Sequence, residues 1–201
     1  MAYVTLPTFV GFTTRSGPKR ATFAQNARRL YENPEKGAFD FYLRAVNAIR
    51  AGRAKDADEM AMASLVDQAN VKSRAHFAAV SEGWLAYLGR RRPELVDVGR
   101  SRWGYGAFEI GISPHLAIKR GGQVFVVWLY LKAEPLNQDG ANAALWLMNE
   151  VMDDLAPGAK PLVIDVRRAK EHHLSERDRL RIGRWVRSEA SSFLTLWDAA
   201  A

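Results

Sequence analysis

The run QVFVVWLYLK, residues 123 to 132, constrains the fold more than any other part of the chain. Side chains of a strand alternate between its two faces, so a strand with one wet face reads apolar and polar in turn. From Val124 to Leu131 both alternating sets are apolar, and the segment is predicted to be a central strand covered on both sides. A chain of 201 residues can supply that cover, because a domain of this length buries about 70% of its unfolded surface. The apolar run is far shorter than the roughly 20 residues a membrane-spanning helix requires.

Three further period-two stretches precede it: ELVDV (94–98), WGYGAFEIGI (103–112) and HLAIK (115–119). With Gly121-Gly122 as the last hairpin turn, the four strands are expected to form one meander. After NQDG the stripe Ala141, Ala144, Leu145, Met148, Val151, Met152 and Leu155 predicts a covering helix, stopped by Pro157-Gly158. PLVIDV (161–166) reads as a buried strand that returns beside 123–132 by a right-handed crossover. A last helix starts at Ser175, with Ile182, Val186, Ala190, Phe193 and Trp197 facing inward.

The first half has a helical period. Thr22-x-x-Gln25 has the form of a capping box and Asn33-Pro34 ends that helix; Ala38, Phe41, Tyr42, Ala45 and Ile49 mark the next, which Gly52 closes. Asp56-x-x-Glu59 opens a third, which continues to the stripe Phe77, Val80, Trp84 and Leu88 before Gly89. Residues 1–21 combine Pro7, Gly11, Gly17 and Pro18 with Arg15, Lys19 and Arg20 and have no clear period, as in a basic arm. The expected fold class is therefore α+β. Residues 1–92 make a basic arm and a helical subdomain, and 93–201 a mixed sheet with two covering helices. The boundary falls at Arg90-Arg91-Arg92-Pro93, and the whole forms one compact unit.

Composition excludes some chemistry. With no cysteine there is no disulfide framework, thiolate zinc site or cysteine nucleophile. The first ten residues lack the charged start and long apolar stretch of a secretory signal, so a cytoplasmic protein with no membrane partner is expected. Gly111-Ile-Ser-Pro-His115 departs from the nucleophile-elbow pattern at its last position, and His172-His173 has the wrong spacing for a helical metal pair. No phosphate loop or dinucleotide fingerprint is present, and no cofactor or metal is assigned.

The order meander, helix, strand over residues 94–168 is similar to the core of the PD-(D/E)xK nuclease-like fold. That resemblance implies an acid on one strand and Glu/Asp-x-Lys on the next, so that two carboxylates hold a divalent metal while the lysine acts at the phosphate. Here the second motif reads Tyr130-Leu131-Lys132, with a tyrosine where the anionic ligand belongs. Glu109 and Asp165 stand on predicted strands and are candidates to replace the acids beside Lys132. The plainer reading pairs Asp165 with Arg167 or Lys132 and makes Lys132 a charged strand end.

Net charge is +7, with +6 of it in residues 1–100, and arginine outnumbers lysine 21 to 8. A basic chain favours polyanions, and arginine suits phosphate. The candidate nucleic-acid-binding residues are Arg90, Arg91 and Arg92; Arg167, Arg168 and Lys170; and the helical stripe Arg177, Arg181, Arg184 and Arg187. The expected function is phosphate-backbone binding to DNA or RNA by a degenerate, non-catalytic nuclease-like core. Two alternatives stand beside it. One is an assembly subunit docking on proteins or on its own copies, for which Trp146 and Trp185 are interface candidates. The other is a metal-dependent nuclease using Glu109, Lys132 and Asp165.

Overall fold

The computed structural model describes residues 1–33 and 41–199. Its first residues form strand β1 (Ala2–Thr5) and helix α1 (Leu6–Thr13) rather than an arm. Leu6, Phe9, Val10 and Phe12 are buried, so the apolar content of this stretch outweighs its turn residues. Those turn residues mark helix ends: Pro7 sits in the first turn of α1, and Gly17-Pro18 starts α2 (Pro18–Glu32). The Thr22 capping box is therefore inside α2, where the threonine hydroxyl donates back to the Pro18 carbonyl at 3.4 Å.

Helix α3 (Leu43–Ala54) buries Ala45 and Ile49 of the expected stripe, while Ala38 lies outside the described residues. The third predicted helix is two, α4 (Asp58–Asp67) and α5 (Val71–Leu88), because Asn70 caps a new start by accepting from the Ser73 amide at 2.9 Å. Phe77, Val80, Trp84 and Leu88 all point into the core from α5, as expected.

The second half runs β2 (Glu94–Val96), β3 (Ser101–Tyr105), β4 (Phe108–Ile112), β5 (Leu116–Arg120), β6 (Gln123–Tyr130), α6 (Gln138–Glu150), α7 (Met152–Leu155), β7 (Lys160–Asp165), β8 (Lys170–His173) and α8 (Arg179–Asp198). The chain is α+β, but the expected meander divides between two sheets. Residues 103–112 fold as the β3–β4 hairpin and join β1 in a small sheet of order β1-β4-β3, with β1 parallel to β4. Strand β4 buries Phe108, Ile110 and Ile112 on one face, which suits a small sheet lying over a core better than a two-faced centre. The remaining strands form the main sheet β2-β5-β6-β7-β8. In it β6 and β7 are parallel, joined through α6, with Trp128 beside Val163 and Tyr130 beside Asp165. Strand β8 pairs antiparallel with β7 after a tight turn at Ala169, whose φ is 49°.

Both faces of β6 are covered, as its sequence requires. Val126 and Trp128 enter a core built with α1, α2, α6, α8 and the small sheet, and Val127, Leu129 and Leu131 enter another built with α3, α4 and α5. Gly83 lets α5 approach the end of β7: a Cβ there would overlap the Val166 carbonyl oxygen. Trp146, one of the interface candidates, is 2% exposed and packs edge-on against Trp103 at 5.6 Å. Trp185 also packs against this core, half-buried. Among the described residues no helix is long and apolar enough to cross a membrane.

Two polar networks fix the helical layer. The Arg53 guanidinium, 2% exposed, donates through Nε to Asp58 Oδ2 at 2.9 Å and through Nη1 to the Pro93 carbonyl at 3.2 Å, and pairs with Asp58 again through Nη2. Trp84 Nε1 donates to the same carboxylate at 3.0 Å, so one buried ion pair joins α3, α4, α5 and the residue before β2. At the far edge Glu171 on β8 accepts from Tyr87 Oη at 2.8 Å and from Arg120 at 2.5 and 3.2 Å, and His173 Nε2 lies 2.8 Å from it. Burial would raise the Glu171 pKa, but the hydrogen bonds from Arg120 and Tyr87 prevail and bring it from 4.5 to about 2.

Replacing Asp58 with alanine leaves the buried Arg53 guanidinium with the exposed Asp56 at 2.5 Å as its remaining anion and removes the acceptor of Trp84, and urea unfolding is expected to show a loss of about 3 kcal/mol. Glu171 binds its proton less readily folded than unfolded, so its contribution is complete above about pH 4.5 and disappears as pH falls towards 2. Thermal melts across that window are expected to show a shallower acid loss in Glu171→Gln than in the parent chain.

Candidate functional site

The site lies at the C-terminal ends of β6 and β7, where the strand pair runs out from under its cover. Asp165, the last residue of β7, is 1% exposed. Its carboxylate accepts from the Leu136 amide at 3.3 Å and from Arg168 Nη1 at 3.1 and 3.3 Å, and Arg168 also donates to the Ala133 carbonyl. Asp165 thus holds the segment leading from β6 into α6. Its partner is Arg168 rather than Arg167 or Lys132, because a 3-10 turn over Val166–Arg168 follows the strand. That turn directs Arg167 elsewhere: its Nε donates to the Leu131 carbonyl at 2.9 Å and its Nη2 sits 3.0 Å from His76 Nδ1.

Beside Lys132 is a cavity of about 580 Å³ between the N-terminal elements on one side and α3 on the other. Aromatic side chains form much of its wall: Tyr31 from α2, Tyr42 before α3, and Trp128 and Tyr130 from β6. The Trp128 indole Nε1–H is buried and makes no hydrogen bond to a described residue. Hydroxyls occupy another part of the wall, where Tyr31 Oη lies 2.8 Å from Thr5 Oγ1 and 3.0 Å from Thr8 Oγ1 and accepts from the Thr5 amide at 2.9 Å. His115, at the mouth of β5, extends the strand pairing with its ring: Nδ1 accepts from the Leu129 amide at 2.9 Å. A neutral ring in this setting carries its hydrogen on Nε2.

Lys132 makes no hydrogen bond or ion pair with any described residue. Its side chain reaches solvent, yet its pKa is lowered, first by desolvation from the surrounding protein and second by the nearby Arg15 guanidinium; Glu134 opposes the shift. The Tyr130 pKa is raised, first by burial and then by Glu134 and Asp165. The cavity therefore joins aromatic and hydroxyl surface to a cationic rim.

The predicted site residues do not gather as one set. Lys132, Asp165, Arg167 and Arg168 meet at the strand ends, whereas Glu109 is on the small sheet, paired with Arg102 at 3.2 Å. Among the described residues no three His, Cys, Asp or Glu side chains form a group able to hold a metal ion. Arg90, Arg91 and Arg92 follow α5 on one side of the main sheet, and Arg177, Arg181, Arg184 and Arg187 accompany α8 on the other. Several are already engaged: Arg92 with Asp56 at 3.6 Å, Arg181 with Asp178 at 3.1 Å, and Arg187 with Glu150 at 3.6 Å. Lys170 is exposed on the edge strand β8. In the basic N-terminal segment, Arg20 pairs with Glu189, and Arg15 lies near Lys132.

Sequence reasoning missed the cavity residues Thr5, Thr8 and Tyr31, and showed Arg15 only as part of a basic segment with nothing to place it near Lys132. Trp128 and Tyr130 gave the available signal, two polar-tipped aromatics near the end of a core strand, but nothing in residues 1–31 points to that strand. Comparison with protein-family models, with curated proteins and with solved structures gives no match, so the chemistry of these strand ends must be read from the chain's own residues.

Proposed function

We propose that this chain is a non-catalytic, nucleic-acid-associated protein that holds the phosphate backbone at the C-terminal ends of β6 and β7. The observation carrying this reading is the Lys132 ammonium, unpaired among the described residues, at the rim of the aromatic cavity with Arg15 nearby. Lys132 and Arg15 together attract an anion, and phosphate is an anion that a basic chain favours. The order β2-β5-β6-α6-β7 supports the nuclease-like resemblance, with the β3–β4 hairpin inserted after its first strand. The donor set argues for binding without cleavage: Tyr130 occupies the place of an acid, Asp165 is capped by an amide and a guanidinium, and Glu109 belongs to the other sheet.

Fluorescence anisotropy with labelled DNA and RNA strands is the direct test. The affinity should fall linearly with salt on logarithmic axes, and Lys132→Gln should reduce the slope by about one phosphate contact. Arg177→Gln with Arg184→Gln, both exposed, the first in the turn before α8 and the second on the helix, should leave the slope nearly unchanged. No binding near 50 mM salt, or a signal indifferent to salt, would end the proposal. With magnesium present the strand should stay intact, and Asp165→Asn should alter the melting temperature without altering any cleavage.

A further inference from the structure

The cavity behind Lys132 has more aromatic surface than phosphate contact requires. Its volume of about 580 Å³ is in the roughly 300–1,000 Å³ range of sites that enclose a small organic group. A rim cation alone would be satisfied by a shallow surface. Here the rim leads inward to Tyr42, Trp128 and Tyr130, and flat rings of this kind are the usual platforms on which unpaired bases stack. Trp128 is 4% exposed, and its Nε1–H has no acceptor among the described residues, although a buried indole normally finds one. That nitrogen is also closed to solvent, so Trp128 serves as a wall of the cavity, and the half-buried Tyr42 and Tyr130 supply its accessible ring surface. The Thr5, Thr8 and Tyr31 hydroxyls add partners suited to a sugar.

We infer that the cavity takes one unstacked nucleotide of a single-stranded nucleic acid, its base among the aromatic walls and its phosphate at Lys132 on the rim. This rests on the backbone-binding reading and adds a selectivity to it. A base inside a duplex has both faces covered and must be extruded to enter, so the single strand should bind at least about tenfold more tightly than a duplex of the same sequence. Backbone contact at an open surface would give no such gap.

The test uses the full chain, a labelled single strand, its duplex, and the same strand carrying a photoreactive base. Leu30 lines the cavity at 40% exposure, so Leu30→Trp can narrow the opening without disturbing the core. The expected result is a single-strand preference in the parent chain, its loss in Leu30→Trp down to duplex-level affinity, and cross-links to Tyr42, Trp128 or Tyr130. Cross-linking on the unaltered chain keeps the test valid should the variant fold poorly. Equal affinity for single strand and duplex, with cross-links only outside the cavity, would overturn the inference while leaving backbone binding intact. Absence of binding to every polymer near 50 mM salt would remove both.

Discussion

A strand that is apolar on both faces cannot rest at a surface, and this condition on β6 organises the molecule. Burying the two sets of side chains removes apolar area worth about 25 cal/mol per Å² from water, which favours any arrangement with cover on each side. The chain meets the demand unequally. One cover is local, since α3, α4 and α5 form a compact layer held by Arg53, Asp58 and Trp84. The other is assembled from distant pieces: α1 and α2 from the start of the chain, α6 and α8 from the end, and a small sheet whose strands β1 and β4 come from both halves. Where the two covers part, beyond Tyr130, the interior opens, and the cavity is a consequence of that divergence.

The legibility of the fold follows the range of the interactions. The two-faced strand, the α5 stripe ending at Gly89, the α8 stripe and the β6-α6-β7 connection were readable because each depends on periodicity within a single segment. The division of the meander was not, because period two announces a strand without naming its sheet. Phe108, Ile110 and Ile112 are a one-sided pattern, and only β1, from the other end of the sequence, decides where that pattern docks. The N-terminal arm was misread for a related reason: its glycines and prolines punctuate helices whose apolar partners lie in α6 and α8. The candidate site divides in the same way. Lys132 was visible as the end of a strand, but a cavity wall drawn from β1, α1, α2, α3 and β6 has no signature in any one of them.

Arginine abundance proved a poor guide to the site, and the reason is physical. Many guanidinium groups serve as packing surface, with Arg15 over Phe23 at 4.1 Å, Arg20 over Phe12 at 4.2 Å and Arg187 over Trp146 at 4.9 Å. A delocalised, weakly hydrated cation can lie on a ring while its edge meets a carboxylate, so it joins apolar and polar layers. Arg120 does both, over Phe125 at 5.1 Å and paired with Glu171. Groups used in this way contribute to net charge without forming a field in one direction. The informative cation is Lys132, which makes no ion pair with a described residue.

The proposed reading has a consequence for the free protein. Protonated Lys132 is partly desolvated and also lies near Arg15, which is why its pKa is lowered, so the folded chain without a ligand carries a cost the unfolded chain escapes. The sign is fixed: the penalty is present at neutral pH, where the ammonium is charged, and is relieved only as alkaline pH removes the proton. A phosphate at the rim relieves it at neutral pH by supplying the opposite charge, and ligand binding to the folded state then adds its own stabilisation by mass action. On this reading the local electrostatic strain favours occupancy of the site, and it does so through charges that the fold, rather than the sequence order, has brought together.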